Sequence, residues 1–484
     1  MKKQAFNPYL PSWEYVPDGE PYVYGDRLYV FGSHDEFNGK NFCQNDYVLW
    51  SAPVDDLSDW RMEGTIYRTV QDPDAKKNSF LQAPDVVQGP DGRWYLYYTL
   101  CLAPFMGVAV SDRLTGPYEY YGKVRLPNGH VIGSQKHELF QFDPGLFRDD
   151  DGRIWLYSGF APSDSGIMGI FTRQYKMEGA YVMELGEDML TVKQEPRLII
   201  PKTGHSAGTG FEGHEFYEAS SMRKIGGSYY FIYSSILSHE LCYATSSRPD
   251  GGFRYGGTLV SNGDVGVNGN RFAMNYTGNT HGSLVKVRDQ WYVFYHRQTN
   301  RHMYSRQGCA EPITIRDDGS IPQAEITSCG LNGGPLKGEG EYSSHIACHL
   351  MGRDGTFMYG RFLNRRWKEH PYFTQTGKDR ERDEDQYIAN MTDGATAGFK
   401  YFTFKDLRKI AIQVSGEGHG EMLVKTEVDG LPVARIPLKA GFARTWCEAA
   451  CRIPDGVHAL YFCYAGEGSV NLHAFRLIVE EETC

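Results

Sequence analysis

Through the first two thirds of the chain, short apolar and aromatic runs come in pairs separated by tight polar turns. Five segments repeat one pattern, a turn carrying Gly or Asp followed by an aromatic-rich run: residues 25–33 (GDRLYVFGS), 91–99 (DGRWYLYYT), 151–159 (DGRIWLYSG), 226–234 (GGSYYFIYS) and 288–296 (RDQWYVFYH). Each has an extended partner just before it: 19–24 (GEPYVY), 83–87 (APDVV), 142–147 (FDPGLF), 217–222 (YEASSM) and 280–287 (THGSLVKV). Strand, Gly/Asp turn, strand is the signature of a β-hairpin. The matching aromatics Tyr29, Tyr95, Trp155, Tyr230 and Tyr292 recur about every 60 to 75 residues, which leaves room for two further strands per repeat. Runs such as 108–111 and 241–245 supply them. Four strands per repeat in five copies predicts a five-bladed β-propeller over residues 1–325.

The texture then changes. Residues 330–340 (GLNGGPLKGEG) and 376–386 (TGKDRERDEDQ) read as solvated loops, one glycine-rich and one of mixed charge. Short alternating runs at 399–404, 409–414, 421–428, 456–464 and 470–479 predict a β-sandwich, so residues 326–484 are expected to be a linker followed by a jelly-roll-like domain. The fold class expected is all-β throughout.

Composition agrees with this division. The chain has 484 residues, more than a single core holds, with 55 Gly, 33 Tyr, 26 Phe and 8 Trp. A formal charge of −10 disfavours a nucleic-acid partner, and the absence of a long apolar run argues against a membrane partner. Ten cysteines scattered along the chain read as reduced thiols of a cytoplasmic protein. Cys447 and Cys451 lack a second pair at zinc-ribbon spacing and read as structural thiols. The oligomeric state is left open.

The first strand of each propeller blade lines the central channel, so acidic groups at blade starts converge. Asp18 with Glu20, Asp85, Asp143, Glu218 with Glu215, and His281 occupy those starts in blades one to five. One acid per blade on four blades is more than a solvated surface requires.

These motifs resemble glycoside hydrolase family 43 over residues 10 to 325. The resemblance rests on Asp18 eleven residues ahead of Tyr29 and the Phe31-Gly-Ser33 run, on FDPGLFRDDDG from Phe142 to Gly152, on YEASSMRK from Tyr217 to Lys224, and on Thr280-His281-Gly282. It implies a propeller enzyme that releases terminal α-L-arabinofuranosyl or β-D-xylosyl units from plant-derived oligosaccharides. Asp18 would be the general base, Glu218 the general acid, and Asp143 the carboxylate that orients the acid and raises its pKa. Glu20 and Glu215 are rivals for the first two roles. His281 would contact a structural calcium ion through water; no cofactor is required. Arg306 would reach the substrate, with Phe31, Trp94 and Phe216 as candidate sugar platforms and Asp85 as a supporting carboxylate.

An inverting glycosidase needs one ionised carboxylate to deprotonate water and one protonated carboxyl to release the leaving oxygen, which suits this division. The alternatives are action on galactofuranosyl or galactosyl units, and a non-catalytic carbohydrate-binding propeller. Retaining enzymes of related fold that act on fructans carry an Asn-Asp-Pro-Asn-Gly type element that this chain lacks. Residues 456–468 resemble the last strands of family 6 carbohydrate-binding modules, and the region of Trp367 and Tyr372 is the first place expected to bind sugar there.

Overall fold

The computed structural model describes residues 3–101, 103–164, 173–360, 370–439, 441 and 443–479. Trp367 and Cys484 lie outside these residues. Among the described residues no helix is long and apolar enough to cross a membrane.

Five antiparallel sheets follow one another in the chain. Blade one is built from Glu20–Tyr24, Arg27–Phe31, Tyr47–Pro53 and Arg61–Tyr67; the innermost strands of blades two to five are Leu81–Gln88, Gly145–Arg148, Phe216–Ile225 and Leu284–Val287. The hairpin between the first two strands closes in two residues in blades one, four and five, with Tyr24 opposite Arg27, Ile225 opposite Ser228 and Val287 opposite Gln290. Gly25 and Gly226 take the left-handed backbone this turn demands, with φ of 62° and 61°. Inner strands of neighbouring blades pack side by side, making a five-bladed propeller.

Blade stacking explains the aromatic runs. On Trp94–Leu100, Tyr95 and Tyr97 enter the core shared with blade three, while Leu96, Tyr98 and Leu100 enter the core shared with blade one. Alternate residues of a strand point to opposite faces, and both faces of a blade are covered, so the run is apolar throughout. Tyrosine suits this place because its ring fills the inter-blade space while its hydroxyl reaches backbone beyond it. Tyr47 donates to Gln82 O at 2.9 Å and Tyr157 to Pro249 O at 2.8 Å.

Blade five has three strands, Leu284–Val287, Gln290–Thr299 and His302–Ile313. The chain's first residues run along its outer edge: Tyr9 N donates to Gly308 O, and the Asn7 side chain brackets Ala310, donating to its carbonyl at 2.9 Å and accepting from its amide at 3.0 Å. On the inner side Gly19 bridges Gly282 in parallel. The ring therefore closes between its first and last blades.

Two six-stranded sheets follow, centred on Thr396–Phe404 with Gly456–Glu467 and on Leu407–Gly416 with Val470–Val479. They pack as a β-sandwich around Phe399, Phe402, Ile410, Ile412, Phe462 and Phe475. The expectation of solvated loops before it needs correcting. Leu331 and Leu336 of the glycine-rich segment are buried in cores. In the charged segment Glu381 to Glu384 are exposed, but Asp379 accepts hydrogen bonds from Phe37 N at 2.7 Å and Asn45 Nδ2 at 3.1 Å in blade one.

The sandwich grips the propeller through buried charge. Lys400 Nζ lies 2.8 Å from both Asp264 Oδ2 and Glu325 Oε1, and His349 Nε2 lies 2.7 Å from the same Asp264 oxygen. Arg297 places its guanidinium 3.9 Å over the Phe373 ring and donates to Ala347 O. Removing one partner of such a buried pair would strand the other in an apolar setting.

Candidate active site

The strand starts at one mouth of the channel are distorted in a common way. Asp18, Ala83, Asp143 and Ala219 all have positive φ, between 36° and 70°. For residues with a Cβ this conformation costs about 1 to 3 kcal/mol and persists where the surroundings enforce it. The result is that Asp18, Asp143 and Glu218 all face one cavity of about 420 Å³, with His281 and Arg306.

Asp18 Oδ1 accepts from Arg306 Nη1 at 2.8 Å. Arg306, 2% exposed, is anchored by Asp35: backbone N and Nε donate to Oδ2 at 2.9 and 2.8 Å, and Nη2 donates to Oδ1 at 3.0 Å and to Cys43 Sγ at 3.5 Å. Its guanidinium lies 4.7 Å from the Phe42 ring centroid. His296 sits on the other side of Asp18, its Nε2 against Asn279 O at 2.8 Å and its Nδ1 against Asp18 N at 3.4 Å. Burial and the neighbouring Arg306 push the His296 pKa down to about 3, so the ring is neutral. Burial alone would raise the Asp18 pKa, but the Arg306 charge, with a lesser contribution from His281, holds it below the ordinary range. Asp18 is ionised at neutral pH.

Glu218 is the opposite case. Burial first, and the charge of Asp143 second, push its pKa up to about 8. No side-chain hydrogen bond engages its carboxyl among the described residues. Asp143 Oδ2 accepts from Ala219 N, the amide next to Glu218, at 3.1 Å, and lies 3.5 Å from His281 Nδ1. Burial lowers the His281 pKa, but the hydrogen bond and charge of Asp143 outweigh it and raise the pKa to about 9. Two carboxyls of one cavity are thus held in opposite protonation states.

The rivals are occupied elsewhere. Glu20 lies deeper in the channel, 2.8 Å from Arg223 Nη2 and 3.1 Å from Ser221 Oγ. Glu215 is fixed by Ser206 Oγ and Gly213 N. Asp85 is fully buried, held by the Tyr22 hydroxyl at 2.6 Å and Leu146 N at 2.6 Å.

The expected platforms need correcting. Phe31 and Phe216, both 0% exposed, fill inter-blade cores and have no face to offer a sugar. Trp94 directly follows the hairpin turn, so it lies at the opposite mouth of the channel, edge-on to Tyr24 at 4.9 Å and lining a separate cavity with Trp291. The aromatic wall of the carboxylate cavity is instead Phe142, Phe160 and Tyr217, with Phe142–Phe160 centroids 4.9 Å apart and Phe160–Tyr217 5.5 Å apart. Phe142 and Tyr217 immediately precede Asp143 and Glu218, a signal the sequence carried. Arg306 lines the cavity but is committed to Asp18 and Asp35. Tyr372 packs under the Arg301 guanidinium at 4.2 Å instead of forming an open platform.

A propeller whose channel mouth holds one ionised and one protonated carboxyl against an aromatic wall is built as a glycosidase. The family model of glycosyl hydrolases family 43 matches residues 14–321. The chain is 50% identical to a xylosidase/arabinosidase of Thermoclostridium stercorarium, over 99% of this chain and all of that one. In fold it is similar to an arabinoxylan arabinofuranohydrolase from Bacillus subtilis in complex with cellotetraose (TM-score 0.50, 20% identity, covering 98% of this chain and 97% of that chain). It is also similar to a β-xylosidase/α-arabinofuranosidase from a compost microbial metagenome in complex with xylotriose, in calcium-free form (TM-score 0.51, 24% identity, 67% of this chain and 98% of that chain). The chain belongs to glycoside hydrolase family 43.

Proposed function

We propose that the protein is an exo-acting, inverting glycosidase that releases terminal α-L-arabinofuranosyl or β-D-xylosyl units from short plant-derived oligosaccharides. The observation that carries this reading is that Asp18, ion-paired with Arg306, and Glu218, buried next to the strand amide that Asp143 holds, face one cavity. Asp18, kept ionised by Arg306, takes a proton from the water that attacks the anomeric carbon. As the glycosidic bond breaks, Glu218 gives its proton to the departing oxygen. Asp143 favours the protonated form of Glu218, and its bond to Ala219 N fixes the strand that carries the acid. Arg306, anchored by Asp35, positions the base. Below the carboxylates Arg223 reaches Glu20 at 2.8 Å and lies 4.7 Å over the Tyr22 ring, and Tyr22 donates to Asp85, contacts across the inner strands that support a blind pocket and removal of units from chain ends.

The channel also fits a hydrated cation. His281 Nε2, Glu20 Oε1, Ser220 Oγ and Thr280 Oγ1 are buried without a hydrogen-bond partner among the described residues. Calcium prefers oxygen ligands, so water would mediate any contact with His281, and the ion would supply positive charge among these carboxylates. We further propose a cytoplasmic location, supported by the thiols of Cys43, Cys242, Cys309, Cys329, Cys348 and Cys451, which are buried and outside any disulfide among the described residues.

The test is a panel of 4-nitrophenyl α-L-arabinofuranoside, β-D-xyloside and β-D-galactofuranoside, with the product anomer followed by NMR from the first turnover. Hydrolysis of one or both pentosides with inverted product is expected. A retained anomer refutes single displacement, and turnover of the galactofuranoside alone refutes the substrate class.

A further inference from the structure

The catalytic cavity is not walled by the propeller alone. Met358, Tyr359 and Gly360 line it, and all three lie beyond residue 321, where the family match ends. They belong to the sandwich side of the chain, between its strands His349–Met351 and Tyr372–Thr374. Residues 357–359 run along the segment that leads into blade five: Tyr359 N donates to Thr277 O at 2.8 Å, Thr277 N donates to Phe357 O at 3.3 Å, and Met358 bridges Thr277 in parallel. His281 stands four residues further on.

The neighbours of Met358 are anchored. Phe357 and Tyr359 pack on Tyr276, with centroids 5.0 and 5.5 Å away, and Tyr276 in turn packs on His370 at 4.2 Å. In an extended segment the residue between two anchored ones faces the other way. Met358 accordingly projects to the cavity and is 45% exposed, an apolar side chain with no core to fill. Met303, from the outer strand of blade five, lines the same cavity. The sandwich side also steadies another part of the cavity wall, since Asp379 holds Phe37 N and Asn45 Nδ2 at the two ends of the loop that carries Phe42 and Cys43.

The deep part of this cavity is charged and buried, which suits the unit being cleaved. Its rim carries two thioethers, flexible and polarisable enough to follow the apolar face of a pyranose or furanose ring. We propose that Met358, with Met303, forms the subsite for the leaving-group sugar, so that the sandwich side of the chain supplies a specificity-determining residue. This rests on the glycosidase reading above.

The experiment compares wild type, Met358→Ala and Met358→Leu by two measurements. One is kcat/KM on xylobiose or arabinofuranosyl-xylobiose, whichever the wild type turns over; the other is the Ki of the released pentose, which occupies only the deep site. Met358→Ala is expected to lower kcat/KM about fivefold, less than a fully enclosed apolar pocket would lose, with Ki unchanged within about twofold, a ratio that also reports an intact cavity. Met358→Leu is expected to restore most of the loss. Equal changes in both quantities, or no change in either, would overturn the assignment. If wild type cleaves neither oligosaccharide, the substrate class proposed above fails separately. Calorimetric binding of the same oligosaccharide and pentose to the three proteins then decides the subsite by the same ratio.

Discussion

Replacing Asp143 by Asn removes one negative charge beside Glu218 while keeping the side chain's shape. Asp143 contributes to the raised Glu218 pKa of about 8, second only to burial. A like charge at the roughly 4 to 6 Å over which such effects operate is worth roughly 3 to 4 kcal/mol at an effective dielectric constant of about 20. At about 1.36 kcal/mol per pKa unit this charge alone would lower the Glu218 pKa by about two to three. His281 works the other way, because its pKa of about 9 depends on Asp143, and a neutral imidazole no longer favours the ionised acid. A net fall of about 1.5 follows, to near pH 6.5. The protonated fraction of Glu218 at pH 7 would drop from about nine tenths to about one quarter by ordinary titration, so kcat/KM at pH 7 relative to pH 5 should fall about fourfold. The assay is the pH profile of kcat/KM on an unactivated disaccharide, for which protonation of the leaving group matters. An alkaline limb that stays near pH 8 while activity drops equally at every pH would refute the electrostatic role and leave Asp143 a purely positional one.

Glu218→Gln should lose about 10² to 10⁴ in kcat/KM on the disaccharide but far less on 4-nitrophenyl glycosides, whose leaving group needs little proton assistance; equal losses on both would remove Glu218 from the acid role. Phe31→Ala should lower stability by about 3 to 5 kcal/mol, read by denaturant unfolding, because it empties an inter-blade core. Its pentose Ki under folding conditions should match wild type, and a selective rise in that Ki without loss of stability would mean that Phe31 touches substrate after all.

The propeller was legible because its blades repeat one local pattern, and inner strands bury both faces in a way that composition records directly. The carboxylates were legible for the same reason: Asp18, Asp143 and Glu218 sit at equivalent strand starts, and strand direction alone sends these to one mouth. That geometry also explains the errors. Trp94 follows the turn and so lies at the far mouth. Phe31 pairs with Glu20 at the near end of its strand, yet its face looks into the neighbouring blade, a distinction of strand parity that residue type does not carry. Asp35 and His296, which set the environment of Asp18, come from a loop after the second strand of blade one and from the second strand of blade five, so no local spacing joins them. Met358 is less legible still, since its place depends on how the sandwich docks.

The seam between blades one and five has a consequence for how this enzyme can be made and broken. Asp18 precedes the first blade and Arg306, its cation, stands in the last, 288 residues later. Until that final hairpin is in place the carboxylate has no guanidinium beside it to keep it ionised in a buried site. A nascent chain released early, or one clipped at the seam, would thus be silent instead of weakly active. Hydrolysis is an all-or-none report of ring completion, and any rearrangement of the chain's ends that keeps blade one stitched to blade five should keep the enzyme switched on.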